Sequence, residues 1–273
     1  MNVNGYESKA AAIRALKSAG FNISGLLAAP ESNPKVAKNG KVDVLAAPLH
    51  LAPFNLSGFQ VCAQASPGCA AACLHTAGNP AYMAGKEKSR INKTRAYFKC
   101  RAAFMAVLTF EIAALQRKAI AKGMQPAIRL NATSDLPFER RVVNINGVDV
   151  LLMHAFPDVQ FYDYTKITKR ALAYAQGAMP SNYHLTFSRT ESNHGDVARV
   201  LAAGGNVAVV MATKVYKAAM SAGLNVRQWQ EIGHDKIIDG DSHDYRPADP
   251  RGVVVALKAK GDARRDTSGF VIN

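Results

Sequence analysis

The chain lacks the features that mark several large classes of protein. Its first twenty residues have neither the basic start nor the apolar run of a signal peptide. No apolar stretch approaches the length that spans a bilayer. Walker-type and dinucleotide-binding glycine motifs, a Gly-x-Ser-x-Gly nucleophile elbow and the paired histidines of rolling-circle nicking enzymes are also missing. From these absences we expect a cytoplasmic protein that binds no membrane.

Acidic residues are few compared with basic ones. The 273 residues contain 34 Lys and Arg against 20 Asp and Glu, which gives a formal net charge of +14. A charge of this size attracts polyanions through its long-range field. We therefore predict nucleic acid or a nucleotide as the partner. A surface that carries lysines only for solubility is the alternative.

The positive charge is concentrated in a segment predicted to be helical. Between residues 86 and 101 the only acid is Glu87, and Tyr97 and Phe98 lie among the basic residues. Basic side chains interleaved with aromatic ones suit phosphate contacts beside stacked bases. The candidate nucleic-acid-binding residues are Lys86, Lys88, Arg90, Lys93 and Arg95.

The chain has only four cysteines, and three of them, Cys62, Cys69 and Cys73, lie close together. Their spacing is C-x6-C-x3-C, and Cys100 is a distant candidate for a fourth ligand. In a reducing cytoplasm such cysteines are more often ligands or core residues than disulfides. The sequence Ser-Pro-Gly at 66–68 favours a turn. The alanine spacers allow main-chain N–H groups to approach inorganic sulfur.

Three interpretations of the cysteines stay open. The first is an iron–sulfur cluster of the [4Fe–4S] type held by Cys62, Cys69 and Cys73, with an open iron or with Cys100 as the fourth ligand. The second is a zinc site to which His75 contributes, although zinc sites usually have two ligand pairs. The third is a set of small buried cysteines that fill space without metal.

Hydrophobic patterning predicts strands that alternate with helices. Residues 1–41 are predicted to form an N-terminal extension with a helix at 7–19, and residues 42–273 a single α/β domain with a cysteine loop at 62–73. Several strands are continuously apolar, as parallel strands covered on both faces should be. We predict a full or partial β/α (TIM-like) barrel, with an open, doubly wound parallel sheet as the alternative.

The individual elements follow from the same patterns. A hairpin is predicted at 142–152 from Asn146-Gly147, and one long or broken helix over 84–122. Further helices are predicted at 168–176, 195–203 and 216–222. Predicted strands cover 42–46, 127–131, 159–164, 183–188, 207–211, 236–239 and 253–257.

Polar residues follow several of the predicted strands, and in both architectures ligands bind at the carboxyl ends of strands. Lys166, Arg189 and Glu191 are examples of such strand-end residues. We predict that four of the strand-end side chains transfer protons or orient the substrate. These candidate catalytic residues are Asp135, Tyr164, Asp241 and His243.

The run Asp-Gly-Asp-Ser-His-Asp at 239–244 has two predicted conformations. An extended run places Asp239, Asp241 and His243 on one side of the chain. A turn in which the aspartates accept hydrogen bonds from their own backbone is the alternative. Asp239, Asp241 and Asp244 also suit a divalent ion, as in a metal-dependent nuclease or hydrolase.

A cysteine loop after the first strand of a β/α barrel resembles the radical S-adenosylmethionine enzymes, whose cluster leaves one iron open for the methionyl group. Their spacing is C-x3-C-x2-C with an aromatic residue before the last cysteine, where this chain has Ala72. No counterpart of their glycine-rich strand-end motif follows Leu130. The resemblance is architectural, and it implies S-adenosylmethionine as a further cofactor.

Several short motifs occur in a fixed order along the chain. They are Ser-Pro-Gly-Cys at 66–69, Arg-Leu-Asn at 129–131, Tyr-Asp-Tyr-Thr-Lys at 162–166, His-Leu-Thr-Phe-Ser at 184–188, the aspartate run at 239–244 and Ala-Lys-Gly at 259–261. In this order they resemble the bacteriophage gene product 88 family, over most of the chain from about residue 45. The resemblance implies a phage or prophage origin and no established reaction.

Three functions are compatible with these observations. The leading hypothesis is a phage-encoded iron–sulfur enzyme that acts on nucleic acid or nucleotides in the cytoplasm of the infected or lysogenic host. The second is a nucleic-acid-binding replication or regulatory protein in which zinc or a cluster is structural. The third is the metal-dependent nuclease or hydrolase that uses the aspartate run.

Overall fold

The computed structural model describes residues 1–30, 43–73, 84–221 and 236–273. The chain divides into two compact units. Met1–Ala63, Ala81–Tyr162 and Pro180–Tyr183 form the first unit, and Gln64–Pro80, Asp163–Met179 and His184–Asn273 form the second. The predicted domain boundary at residues 41 and 42 lies outside the described residues, as does His75.

The described residues contain nine strands, several of them continuously apolar as predicted. They are β1 (Val44–Pro48), β2 (Gln125–Arg129), β3 (Val142–Ile145), β4 (Val148–Leu151), β5 (Gln160–Thr165), β6 (Tyr183–Ser188), β7 (Val207–Met211), β8 (Ile237–Asp239) and β9 (Val254–Lys258). Seven strands form one sheet in the order β1-β2-β5-β6-β7-β9-β8. Pairing is parallel at β1–β2, β2–β5, β6–β7, β7–β9 and β8–β9. The predicted α/β class is confirmed. No closure into a barrel is found among the described residues, so the barrel stays a prediction.

Seven α-helices are described. They are α1 (Lys9–Ser18), α2 (Pro67–Ala71), α3 (Ala84–Lys99), α4 (Arg101–Ala121), α5 (Thr168–Ala175), α6 (His194–Ala202) and α7 (Thr213–Ser221). Short 3₁₀ helices cover Phe138–Arg140, Arg246–Ala248 and Gly261–Arg265. The predicted helix over 84–122 is broken at Cys100, whose φ of −134° and ψ of 51° are not helical. No helix in the described ranges combines the length and apolarity needed to cross a membrane.

The first unit is built around α4, which is buried along much of its length. Helix α1 packs against it. The Glu111 carboxylate of α4 accepts the main-chain N–H groups of Leu26 and Leu27 at 3.0 and 2.8 Å, and it forms an ion pair with Lys9 at 2.6 Å. Polar contacts as well as apolar packing therefore hold the first thirty residues against α4.

The predicted hairpin is present in the same unit. Strands β3 and β4 pair antiparallel, with Val142 opposite Leu151 and Ile145 opposite Val148. Asn146 and Gly147 both have positive φ, 51° and 90°. Two successive residues with positive φ define the type I′ turn, which Asn-Gly favours and which matches the twist of the flanking strands.

The second unit is organised on β7 and β9, which pair over five residues. One face of this pair packs against helices, and Val209, Val254 and Tyr216 belong to that buried cluster. Val253 and Val255 form part of a separate apolar cluster. Burial on both faces explains why these strands are continuously apolar in sequence.

Candidate functional site

The four cysteines are divided between the two units. Cys62 and Cys100 belong to the first unit, and Cys69 and Cys73 to the second. All four are half-buried, and none of them forms a disulfide in the part of the chain that the structure describes. Within the described residues, no group of three or more His, Cys, Asp or Glu side chains is arranged to hold a metal ion. The cluster and the zinc site therefore stay predictions from the spacing of the cysteines.

In the first unit, Cys62 lies beside the loop that follows β2. Its Sγ is 3.9 Å from the carbonyl oxygen of Thr133, and the N–H of Asp135 donates to the carbonyl of Val61 at 2.8 Å. The Asn131 side chain holds the loop in shape, because its Oδ1 accepts from the Ser134 hydroxyl and from the N–H of Leu136, both at 2.8 Å. Two of the predicted site residues, Cys62 and Asp135, thus lie on neighbouring loops.

In the second unit, the cysteine loop is held by one carboxylate. Glu191, three residues after β6, accepts the Ser66 hydroxyl at 2.6 Å and the N–H of Gly68 at 2.7 Å. Ser66 is also the N-cap of α2, and its Oγ accepts the N–H of Cys69 at 3.2 Å. The carboxylate therefore fixes the turn that carries Cys69.

The hydrogen bonds to Glu191 change its acidity. Burial alone raises the pKa of a carboxyl group, because it disfavours the charged form. Here the hydrogen bonds from the Ser66 hydroxyl and from backbone N–H groups, including that of Gly68, outweigh burial, and the pKa of Glu191 lies below its ordinary value of 4.5. Glu191 is thus held as a carboxylate that accepts two donors from the loop.

Gly68 lies where the loop meets the C-terminal segment. A Cβ added at this position would clash with Ser268 Oγ, and would lie 2.8 Å from both Glu191 Oε1 and Phe270 Cβ. The next residue, Cys69, packs against a small apolar cluster that includes Ala72, Phe270 and Val271. The absence of a side chain at Gly68 therefore permits this close packing.

The end of β6 also holds the C-terminal segment in place. The Arg189 guanidinium donates to the carbonyl oxygens of Gly269 and Phe270 at 2.6 and 2.9 Å. Its other terminal nitrogen is 3.3 Å from Nε2 of His194. Glu191 and Arg189 thus hold the two segments that surround Cys69, and both belong to the strand-end residues identified from the sequence.

The aspartate run after β8 forms the turn, and not the extended arrangement. Asp239 Oδ1 accepts the N–H of Asp241 at 2.7 Å, and the Ser242 hydroxyl donates to the carbonyl of Asp239 at 3.1 Å. These local hydrogen bonds satisfy the backbone within the run itself and bend it. The extended placement of Asp239, Asp241 and His243 on one side is therefore wrong.

Two aspartates of this run, Asp239 and Asp241, are engaged by residues outside it. Asp239 accepts the Tyr216 hydroxyl at 2.5 Å. Asp241 pairs with Lys260 at 2.7 Å and accepts the N–H of Lys258 at 3.1 Å. Burial and these carboxylates raise the pKa of Tyr216, so its hydroxyl acts as a donor. Hydrogen bonds and the Asp241–Lys260 ion pair thus hold this turn at the ends of β8 and β9.

His243 and Tyr164 are the other two candidate catalytic residues of the second unit, and their surroundings differ from those of Asp241. Nδ1 of His243 is 3.2 Å from the Arg246 guanidinium. Burial and then the charge of Arg246 lower the pKa of His243, so the ring is neutral at pH 7. Tyr164 packs with the apolar cluster of Val253 and Val255. A role for either residue in proton transfer stays a prediction.

The basic segment lies on α3, where its side chains have different roles. Lys86 and Lys88 are exposed. The ammonium group of Lys93 donates to the carbonyl of Leu26 at 2.8 Å, and burial lowers its pKa. Nε of Arg95 donates to the carbonyl of Ser57 at 3.0 Å. Lys93 and Arg95 therefore stabilise the first unit, and Lys86 and Lys88 are the better candidates for phosphate contacts.

A polar cavity of about 370 Å³ lies in the second unit, where α5 and α6 begin. Its lining includes Gln64 of the cysteine loop region, Lys166 and Lys169 after β5, and Ser192 after β6. Of these, only Lys166 was identified from the sequence as a strand-end residue. Ser192 and Lys169 were missed because single polar residues at helix starts carry no distinctive pattern.

Comparison with known families gives one match. A family model described as Gene product 88 matches residues 26–273. The chain belongs to the gene product 88 family. Neither a curated protein nor a solved structure matches it. Membership confirms the resemblance seen in the ordered motifs and supports its association with bacteriophages, but it names no reaction.

The packing around Gly68 predicts that Gly68→Ala destabilises the protein by about 1–3 kcal/mol, because the added methyl group forces the cysteine loop away from Glu191 and Phe270. The matched control is Gly195→Ala in α6, where nothing lies within 4 Å of the added Cβ. The control should be neutral, or stabilising by up to about 1 kcal/mol. Urea unfolding measures both variants. Equal midpoints for Gly68→Ala and the parent would show that the loop does not pack as described.

Proposed function

We propose that this protein is a phage-encoded iron–sulfur protein and an enzyme that acts on nucleic acid or nucleotides. The observation that carries the proposal is the support of the cysteine loop in the second unit. Glu191 accepts two hydrogen bonds from the turn that precedes Cys69, and Arg189 holds the segment that packs on it. Metal ligands are typically oriented by such hydrogen-bonded supports.

The donor chemistry fits a cluster. Cys69 and Cys73 are half-buried cysteines of the second unit that form no disulfide, and the apolar packing of Ala72 and Phe270 near Cys69 suits a shielded metal centre. The N–H groups of Gly68 and Cys69 are bound by Glu191 and Ser66, so other donors would have to serve cluster sulfur. When bound, a cluster supplies one-electron chemistry and, with an open iron, a binding position.

In this proposal the sequence spacing assigns the ligands. Cys62, Cys69 and Cys73 hold the cluster, and Cys100 is the candidate for a fourth position. S-adenosylmethionine stays an expectation from the architectural resemblance. The proposal places the protein in the cytoplasm of the infected or lysogenic bacterium, where thiols are kept reduced.

The strand order is consistent with a partial β/α barrel as the scaffold. Along the sheet, β1, β2, β5, β6 and β7 follow one another in chain order. A doubly wound sheet has a point inside the sheet at which the strand order reverses, whereas the described strands depart from chain order at the edge, where β9 precedes β8. We include the partial barrel in the proposal for this reason.

Two alternative functions make different use of the same residues. In a nucleic-acid-binding replication or regulatory protein, the thiols hold a structural zinc or cluster and no turnover occurs. In a hydrolase, the aspartate run binds a divalent ion. The hydrolase has less support, because Asp241 is already paired with Lys260 and Asp239 with Tyr216.

Metal analysis tests the iron–sulfur proposal. Protein purified without oxygen should be brown and contain iron and acid-labile sulfide in comparable amounts. Cys69→Ala and Cys73→Ala should each lose both, because only two of the three proposed ligands Cys62, Cys69 and Cys73 then remain. Ala71→Ser, an exposed change in α2, should retain both and serves as the control.

Two results would contradict the metal prediction. A colourless protein with stoichiometric zinc would favour the structural zinc protein. Absence of any metal after anaerobic reconstitution would leave the cysteines as buried thiols. Circular dichroism of each variant should match the parent, so that metal loss is not caused by unfolding.

Nucleic-acid binding can be tested on α3. The double variant Lys86→Ala/Lys88→Ala should bind DNA or RNA more weakly and with a shallower salt dependence, by about one unit in slope for each phosphate that is no longer neutralised. Lys17→Ala/Lys122→Ala removes the same charge from two exposed positions of the same unit. Filter binding over a range of salt concentrations compares the two variants. Equal losses of affinity in both would show a general charge effect, and absence of binding at low salt would contradict the predicted partner.

A further inference from the structure

We propose that the cavity at the starts of α5 and α6 binds the phosphate group of the ligand. The inference deepens the proposed function and rests on it for the nucleotide or nucleic-acid class. It concerns the second unit alone, and it involves neither the cysteines nor the basic segment of α3.

The lining of the cavity has the chemistry of an oxyanion site. Lys166 and Lys169 supply two ammonium groups, and Thr168, Thr190 and Ser192 supply hydroxyls. Ammonium groups and hydroxyls are typical donors to phosphate oxygens. A cavity with this lining favours an anionic ligand over an apolar one.

One acid also lines the cavity, and its charge is offset. Asp196 forms an ion pair with Arg199 at 3.0 Å. Among the charged residues that line the cavity, the two lysines outnumber this one carboxylate. The cavity therefore attracts anions despite Asp196, although less strongly than it would without this carboxylate.

The loop after β6 is held in a fixed shape at the cavity. Asn193 Oδ1 accepts the N–H of Thr190 at 2.7 Å, and its Nδ2 donates to the carbonyl of Ser188 at 3.0 Å. The Asn193 side chain therefore stabilises the loop, and neither N-cap residue, Ile167 of α5 nor Asn193 of α6, caps its helix with a side-chain hydrogen bond. The positive ends of both helices add to the field of the lysines.

The position and size of the cavity also suit a nucleotide. It follows the carboxyl ends of β5 and β6, where ligands bind in parallel α/β sheets. Its volume of about 370 Å³ is within the range of small-ligand sites, roughly 300–1,000 Å³. Gln64, from the stretch between Cys62 and Cys69, also lines it, so a ligand held here would contact the cysteine loop region.

Calorimetry on the full-length protein tests the inference with three probes. These are inorganic phosphate, a nucleoside monophosphate and the same nucleoside without phosphate. We expect the nucleotide to bind, inorganic phosphate to compete with it, and the nucleoside alone to bind far more weakly. The measurement is made both before and after cluster reconstitution, so that it does not depend on the metal.

Variants assign the binding to this cavity. Lys166→Ala and Lys169→Ala should each weaken nucleotide binding by about tenfold, the loss expected for one charge-assisted contact. Lys217→Ala, an exposed lysine of α7 in the same unit, should bind like the parent. Asp196→Asn should bind more tightly by a few-fold, because it removes the opposing charge. If these residues only supported the fold, Asp196→Asn would not raise the nucleotide affinity while the lysine variants lower it.

Some results would overturn the inference while leaving the proposed function intact. Iron-containing protein that binds neither phosphate nor the nucleotide at millimolar concentration is one. A second is nucleotide binding that is unchanged in Lys166→Ala and Lys169→Ala. A third is equal affinity for the nucleotide and for the nucleoside without phosphate. Phosphate-dependent binding by a protein that holds no iron would support the inference and contradict the iron–sulfur proposal.

Discussion

The arrangement of the second unit depends on the carboxylate of Glu191. It accepts the Ser66 hydroxyl and the N–H of Gly68, and so joins the loop that carries Cys69 to the end of β6. A partly buried carboxylate without these donors would lose its hydrogen bonds, and the donors without the carboxylate would lose their partners. The interaction therefore stabilises one conformation of the loop, and the proposed role of Cys69 depends on that conformation.

The end of β6 has a second function in the same region. Arg189 holds Gly269 and Phe270, and Phe270 packs in the cluster that Cys69 contacts. Two residues further along the chain from Glu191, Asn193 shapes the loop at the phosphate cavity. One strand end thus supports the cysteine loop, the C-terminal segment and the cavity, as expected where the carboxyl ends of parallel strands form binding sites.

Local patterns allowed much of the fold to be predicted. The strand-like patterns at 183–188 and 207–211, the second of them continuously apolar, predict β6 and β7, and Asn146-Gly147 predicts the hairpin. The partners of Glu191 could not be predicted, because Ser66 lies 125 positions away in the chain and nothing local relates the two. Lys93 illustrates a different limit, since its sequence context does not distinguish a solvated lysine from one bound to the carbonyl of Leu26.

The most direct test of the Glu191 interaction is its pKa, measured by NMR titration of the carboxyl carbon. A pKa lowered in the folded protein means that this contribution to stability is present above pH 4.5, the ordinary value, and is lost as the pH falls through the folded pKa. We predict a pKa below 4.5 in the parent and a higher pKa in Ser66→Ala, which removes one donor. A pKa at or above 4.5 that does not change in Ser66→Ala would contradict the account.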